Sequence, residues 1–593
     1  MFGVVARSVR GSSMRYSGLK LCNLCRGIYP SNRQQHSSSS QVANSDLFDY
    51  TEGRWLFNDA LRLAERKRVF NVRGLLKSAA SSVQRTPDDV QDIRKLAEGG
   101  YNRVLLITMR DGFKMVARIP YPISLPRYFM VASEVATMDY LRTQGIPTPQ
   151  VYGYSPTTEN EAETEYILME FVEGSDLGSF WSTLSEPQIS SVTRQIAKLE
   201  ATMMSLEFPA GGGLYYTKDL EAVSASGVPL EGTSFSVGPD IRATMWKGKR
   251  PTLAQDVGPY LTAEASLLGR ATNELAFVER FGQPLLPFRR WRREAYGYQK
   301  QDPSDYIQNL QRYLLVAPFL LPPEPASTRF GIRHLDLKSY NIIVSQSDDG
   351  TLTIKSLIDW HHVPILPQFL LAGVPPQFQN HDDPVWDEPS LPANIELMDE
   401  MERNAEHELY RHRLVHYHYI ANAAVHNEPH FNLIVQSFGQ RNTLCRSLFV
   451  HSSRNWEGDT NEFKTALMQV VEDWDVLTGN TSPCPISFEA DDVRATMEVA
   501  EYLKVAELAQ KQLEQVLGDG WVPANRYEEL VAHAKKVKDL VLNSEDVKDD
   551  SYVREALNVH WPYDDMDEIS EACVGEAEKK TVTNTCSDLR RDF

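Results

Sequence analysis

The chain has 593 residues, a formal net charge of −19, six cysteines, 42% hydrophobic and 24% charged residues. That balance fits a globular protein with an ample core. The acidity argues against nucleic acid or a polybasic membrane surface as a partner, since both call for positive potential. Six cysteines are too few for a disulfide scaffold, and the absence of a run of 18 or more apolar residues leaves no expected transmembrane segment.

The charge is not evenly spread. Residues 1–45 contain Arg7, Arg10, Arg15, Lys20, Arg26 and Arg33, no acid, and the run Ser37–Ser40. Such an Arg-rich, Ser-rich, acid-free segment has the composition of a mitochondrial transit peptide. The expected location is mitochondrial, in the matrix, with a basic tail carrying no address as the alternative. Without the six positive charges the remaining chain stands at −25.

Leu61 to Lys77 reads as a helix, and Thr86-Pro87-Asp88-Asp89 as a second helix start, with a Thr cap, an early proline and acids at the positive end of the dipole. Val104–Thr108 and Lys114–Ile119 flank the turn Arg110-Asp111-Gly112 and form a predicted hairpin. A helix is expected over Phe129–Arg142 and a strand over Tyr166–Phe171, so residues 90–172 read as a small antiparallel sheet with one inserted helix. The remainder reads as mostly helical. Ile189, Val192, Ile196, Leu199, Met203 and Leu206 fall on one helical face, as do Phe463, Leu467, Val470, Val471 and Trp474. Asn341–Ser345 and Thr351–Ile358 form a second hairpin around Asp348-Asp349-Gly350, and 490–517 a long charged helix. The stretch from about 565 onward is expected to be a disordered tail, and Asp564, Asp565, Asp567 and Glu568 a solvated charge run.

The chemistry is concentrated in Gly331-Ile332-Arg333-His334-Leu335-Asp336-Leu337-Lys338-Ser339-Tyr340-Asn341, followed after the hairpin by Ile358-Asp359-Trp360. His-x-Asp-x-x-x-x-Asn, then a strand and a strand-end Asp, resembles the catalytic loop and metal-ligand pattern of protein-kinase-like phosphotransferases. Transfer of a phosphoryl group requires its charge to be neutralised, chiefly by Mg²⁺, which takes oxygens from one or two carboxylates and from the phosphates. Asn341 and Asp359 sit on opposite arms of one hairpin and can share such an ion. Asp336 can orient an acceptor hydroxyl and take its proton. Lys338 can reach the transferring phosphate. His334 reads as a buried, loop-holding residue.

Upstream elements extend the likeness. Gly99 and Gly100, in Glu98-Gly99-Gly100-Tyr101-Asn102-Arg103, stand where a phosphate-covering loop belongs, although two glycines also make a plain turn. Arg118 occupies the place of a nucleotide-binding lysine, and its planar fork can hold phosphate oxygens. Glu134, early in the next helix, is its natural ion-pair partner. Met169, Glu170 and Phe171 would form the adenine hinge, read through backbone groups. His412, His416 and His418 lack a third metal ligand at the right spacing and read as a helix face.

The arrangement is similar to the aminoglycoside phosphotransferase and choline kinase branch of the kinase-like superfamily. Within it, Gly53-Arg54-Trp55-Leu56, the catalytic loop, Ile358-Asp359-Trp360-His361-His362, Leu366-Pro367-x-Phe369 and Pro375-Pro376-x-Phe378-x-Asn380 resemble a fungal mitochondrial group named for altered inheritance of mitochondria. The resemblance spans about residues 46–560. It implies an α+β, bilobal protein-kinase-like fold with a small antiparallel-sheet lobe and a large helical lobe, and an ATP- and Mg²⁺-dependent transferase. The expected division is a leader 1–45, an N-terminal extension and nucleotide lobe 46–172, a catalytic lobe 173–480, a helical extension 481–565 and a tail 566–593.

Two departures bear on function. The spacing from Asn341 to Asp359 is longer than in protein kinases, and Leu335 replaces the arginine that anchors a phosphorylated activation loop. Both favour a small-molecule acceptor over a protein. The alternatives are a pseudokinase that senses nucleotide as a scaffold, kept open by the weak glycine loop and Arg118, and a protein kinase.

Overall fold

Met115, Ala117 and Ile119 pack on one face of the strand Lys114–Pro120, and Val116 on the other, the two-residue period of a strand covered on both sides. That alternation also sends Arg118 to the face of Val116, which decides the geometry of the site. The computed structural model describes residues 44–566 apart from 254–255, 381–386, 438–439, 480–481 and 546. The expected leader, except its last two residues, and residues 567–593 of the expected tail lie outside the described residues.

The described chain begins with a 3-10 turn, Asn44–Leu47, and strand β1, Gly53–Trp55. Two helices follow, α1 (Asp59–Arg66) and α2 (Val72–Ser82). The single helix expected over Leu61–Lys77 is thus broken. Lys67 and Asn71 are extended, and the Asn71 side chain caps α2 by accepting the Gly74 N–H at 3.1 Å. The helix start expected at Thr86 is also corrected. Thr86 and Asp89 form a capping box, but around a 3-10 turn only, Pro87–Asp89. The chain then enters strand β2, Val90–Glu98, an edge strand exposed along most of its length.

Strands β3 (Asn102–Met109) and β4 (Lys114–Pro120) complete a meander with β2. Helix α3, Arg127–Thr143, then precedes β5 (Val151–Ser155) and β6 (Tyr166–Glu170). The five strands form one antiparallel sheet in the order β2-β3-β4-β6-β5. One face packs Leu105, Ile107, Met115 and Leu168 against Leu75 and Ala79 of α2. The other packs Val116, Ile167 and Met169 with Val131, Val135 and Leu141 of α3, in a core continuous with the large lobe.

In the large lobe, α4 (Glu186–Ser205) buries Ile189, Val192, Ile196 and Met203 and lies against α5 (Glu400–His426). Met203 and Met204 are core residues. The hairpin β7 (Ile342–Gln346) and β8 (Leu352–Leu357) packs in the same core, with Ser175–Asp176 added to the edge of β7. A three-stranded sheet built from Gly213–Tyr216, Val228–Pro229 and Phe235–Gly238 was not apparent in the sequence. Helix α6, Asn461–Thr478, centres a second core with Phe463, Leu467, Val470 and Trp474. Helix α7, Ala490–Leu517, leads to β9, Trp521–Pro523, which returns to pair antiparallel with β1.

The fold is therefore α+β and bilobal, with a small antiparallel sheet over a larger, mainly helical body. Among the described residues no helix is long and apolar enough to cross a membrane.

Candidate active site

The loop containing Asp336 is fixed at both ends. Phe330–Ile332 pairs with Ile365–Pro367, and Asn341 leads directly into β7. Arg333 is buried and bound by Glu200 at 2.7 Å, by the Leu371 carbonyl at 2.8 Å and by the Tyr419 hydroxyl at 3.2 Å. His334 is buried too, with Nε2 2.9 Å from the Ile358 carbonyl and its ring edge-on to Trp360. Only a ring N–H can bond a carbonyl, so Nε2 carries the proton. Burial pushes the pKa of His334 down, so it remains a neutral clamp between the loop and the strand end.

Leu335 is exposed and Asp336 half-exposed, facing Lys338 Nζ at 2.8 Å. The Asn341 amide donates to the Asp336 carbonyl at 2.8 Å, and lies 3.4 Å from its carboxylate. With Nδ2 committed there, Oδ1 is the group left to meet a cation. The Ile358 N–H donates to the Asn341 carbonyl at 2.9 Å, placing Asp359 beside Asn341. Asp359 has φ of 71°, a left-handed conformation that aspartate tolerates better than most residues.

Arg118 joins the two lobes. One end of its guanidinium contacts Glu134 of α3, and the other lies 2.5 Å from Asp359 Oδ1. His361 Nδ1 is also 2.5 Å from that oxygen and 3.1 Å from Arg118 Nη2. Burial pushes the Asp359 carboxyl up, but the charge of Arg118 and the hydrogen bond of His361 outweigh it and hold the group well below the usual carboxylate range. Burial likewise pulls Arg118 down, while Glu134 and Asp359 more than restore it, so the guanidinium stays charged.

The Glu98–Arg103 string runs from the end of β2 through a turn into β3. Gly99 and Gly100 are exposed in the β2–β3 turn, with Gly99 N–H bonded to the Asn102 carbonyl at 2.9 Å. Next to them, Tyr101 stands over His361 and His362, with ring centroids 5.6 and 6.3 Å away, so the turn is folded down towards the Asp359 segment. Met169 is buried in β6, Glu170 accepts the Gln150 N–H at 3.1 Å, and Phe171 lies 5.5 Å under Lys114 Nζ. A groove beside this hinge is lined by Glu170, Phe171, Gly174, Val344 and Lys355 among others. It includes none of Arg118, Asp336, Asn341 and Asp359. The structure thus brings Arg118, Glu134 and Asp359 into contact, and links Asp336, Lys338 and Asn341. The hinge is linked to Arg118 through the sheet, where Ile167 pairs with Arg118 and Met169 with Val116.

His361, Glu98 and Arg103 carry geometry that the sequence reading did not assign. Only adjacency to Asp359 and to the glycines could have drawn notice to them. Of the acids expected as a solvated run, Asp565 is exposed and Asp564 partly so, and both also have partners. Asp564 pairs with Lys538 at 2.5 Å, and Asp565 accepts the Asn58 N–H at 2.5 Å. Asp567 and Glu568 lie outside the described residues. His416 is buried against the Phe378 carbonyl at 3.2 Å, while His418 faces Glu186. Among the described residues no group of three or more His, Cys, Asp or Glu side chains could hold a metal by itself.

The phosphotransferase enzyme family model matches residues 92–363, the span from β2 to just beyond Asp359. Over 529 residues the chain is 30% identical to a subtelomeric hrmA-associated cluster protein of Aspergillus fumigatus, covering 82% of this chain and 98% of that protein. It is 24% identical over 573 residues to altered inheritance of mitochondria protein 9, mitochondrial, of Yarrowia lipolytica, covering 89% and 92%. An ADP-bound aminoglycoside phosphotransferase superposes with a TM-score of 0.28 at 12% identity, over 64% of this chain and 93% of that one, a likeness too slight to bear weight. The chain belongs to the phosphotransferase enzyme family and is a kinase-like phosphotransferase.

Proposed function

We propose that the protein transfers the γ-phosphoryl group of ATP, with Mg²⁺, to a hydroxyl of a small molecule in the mitochondrial matrix. The observation that carries this reading is the bridge from Glu134 through Arg118 to Asp359, which sets a charged nucleotide-lobe residue against the strand end beside Asn341.

Asn341 Oδ1 and the Asp359 carboxylate are hard oxygen donors, two in number, and fit an ion that takes its other ligands from phosphate and water. Bound there, Mg²⁺ would neutralise charge on the phosphates. Arg118 would turn part of its fork to the phosphates while Glu134 keeps it in place. Met169, Glu170 and Phe171 would supply backbone groups to the adenine, and Gly99 and Gly100 would cover the phosphates. As the acceptor oxygen forms its bond to phosphorus and the bond to the β,γ-bridging oxygen breaks, Asp336 takes the hydroxyl proton. Lys338, next to Asp336, would hold the transferring group.

The same proposal covers the division of the chain into a leader 1–45, a nucleotide lobe 46–172, a catalytic lobe 173–480, an extension 481–565 and a tail 566–593. A mitochondrial location is supported by the name of the Yarrowia lipolytica relative and by the acid-free start of the sequence. The test is a thermal-shift scan with and without Mg·ATP, then metabolite profiling of extracts incubated with labelled ATP. A stabilising shift and one labelled small molecule are expected. Binding without label transfer to any acceptor would instead make the protein a nucleotide-sensing scaffold, and label on protein a protein kinase.

A further inference from the structure

The Gly53-Arg54-Trp55-Leu56 string has no place in the chemistry above, yet it is wired to the glycine turn. Glu98, the last residue of β2 before Gly99, is buried and uses both carboxylate oxygens. Oε1 meets Arg103 Nε at 3.2 Å and Lys95 Nζ at 3.1 Å. Oε2 accepts the N–H groups of Thr51 and Glu52 at 2.8 and 3.0 Å and the Thr51 hydroxyl at 3.1 Å. Glu98 and Arg103 are also register partners, closing the turn from both sides. Fully buried Arg103 extends the anchor to the Leu47 carbonyl at 2.8 Å.

The strand that begins at Gly53 then pairs with β9 of the C-terminal extension, flanked by Leu56 N–H on the Gly520 carbonyl at 2.8 Å and Ala524 N–H on the Glu52 carbonyl at 3.2 Å. Gly53 lies flat on the Trp521 indole, and a Cβ there would come within 2.2 Å of it. Trp521 is held by a bond from its Nε1 to the Tyr50 hydroxyl at 3.1 Å. At the far end Met566 N–H bonds Asn58 at 2.9 Å, and Arg290 of the large lobe holds the Pro562 carbonyl at 3.0 Å.

We propose that Glu98 is a positioning residue for the Gly99–Gly100 turn, and that through it the C-terminal extension sets the place of that turn over the nucleotide. The proposal rests on the nucleotide reading above, but its first test does not. In full-length protein without ligand, Glu98→Gln and Gly53→Val should each raise hydrogen exchange at Gly99, Asn102 and Arg103. Amides of the α6 core should stay as protected as in the wild type, showing that the fold persists. In the second arm both variants should bind Mg·adenylyl imidodiphosphate about tenfold more weakly, the loss of one charge-assisted hydrogen bond. In an ATP-hydrolysis assay without acceptor, the KM for ATP should rise by the same factor at nearly constant kcat, whereas a lower folded fraction would reduce kcat alone. Raised exchange at 51–56 with an unchanged turn and unchanged affinity would overturn the proposal. Wild-type protein that binds no Mg·ATP would overturn the nucleotide reading instead, and the exchange arm would still decide the role of Glu98.

Discussion

At Arg118 one guanidinium satisfies two carboxylates on separate lobes. A planar fork can do this, whereas the point charge of a lysine would favour one partner. Asp359→Ala would take one of the two carboxylates from Arg118 and remove a metal oxygen, so Mg²⁺-dependent nucleotide binding should vanish, as read by calorimetric titration with and without the ion. Asp336 is half-exposed and touches Lys338 rather than Arg118. Asp336→Asn keeps shape and loses the proton acceptor, so transfer should fall by at least about 100-fold while nucleotide affinity holds. Full activity in that variant would remove Asp336 from the catalytic role.

Elements explain what could and could not be read from sequence. The strand periods around Arg118 and the loop-hairpin spacing from His334 to Asp359 are local, and both hairpins and α3 were readable within a residue or two at each end. Strand β2 was not, because its apolar residues Val90, Ile93, Leu96 and Ala97 follow no two-residue alternation on an exposed edge, and Thr86 gives a genuine capping box in front of it. The β1–β9 pairing joins residues more than 460 apart, and no local pattern encodes it. Tertiary contact also explains Gly331, the first residue of the catalytic motif. A Cβ there would meet the Gln368 amide at 2.3 Å, and that amide is buried and donates to the Met204 carbonyl at 2.7 Å. Gly331→Ala should therefore destabilise by about 1–3 kcal/mol, measured by urea unfolding, and Gln368→Ala in the same chain should relieve the clash at the cost of that hydrogen bond. Equal stability of Gly331→Ala and the wild type would show that the strand tolerates a side chain there.

At the scale of the whole molecule, even a cluster of basic residues can be spent internally. The basic run at 289–293 sits in an acidic chain, yet Arg292 pairs with Asp459 and Glu462 at 2.9 and 3.0 Å, and Arg290 holds C-terminal carbonyls. Neither arginine is open to an anionic macromolecule. The same burial governs the response to acid. His430 is fully buried, and its Nε2 accepts the Gly373 N–H at 3.2 Å. Burial, with the charges of Arg333 and Arg446, pushes its pKa well down. His362 is pushed down to about 4, by burial and then by its neighbour His361, and His334 is also lowered by burial. Each depressed histidine stays neutral in the folded chain while the unfolded chain takes a proton near pH 6.5. The unfolded state therefore binds more protons below that pH, and stability is full above about 6.5 and lost as the pH falls. The melting temperature should be flat above pH 7 and fall steadily below it. His430→Gln keeps an acceptor for Gly373 without a titrating ring, so it should match the wild type at pH 7.5 and lose less stability at pH 5. Parallel curves for the two proteins would place the acid sensitivity elsewhere than at His430.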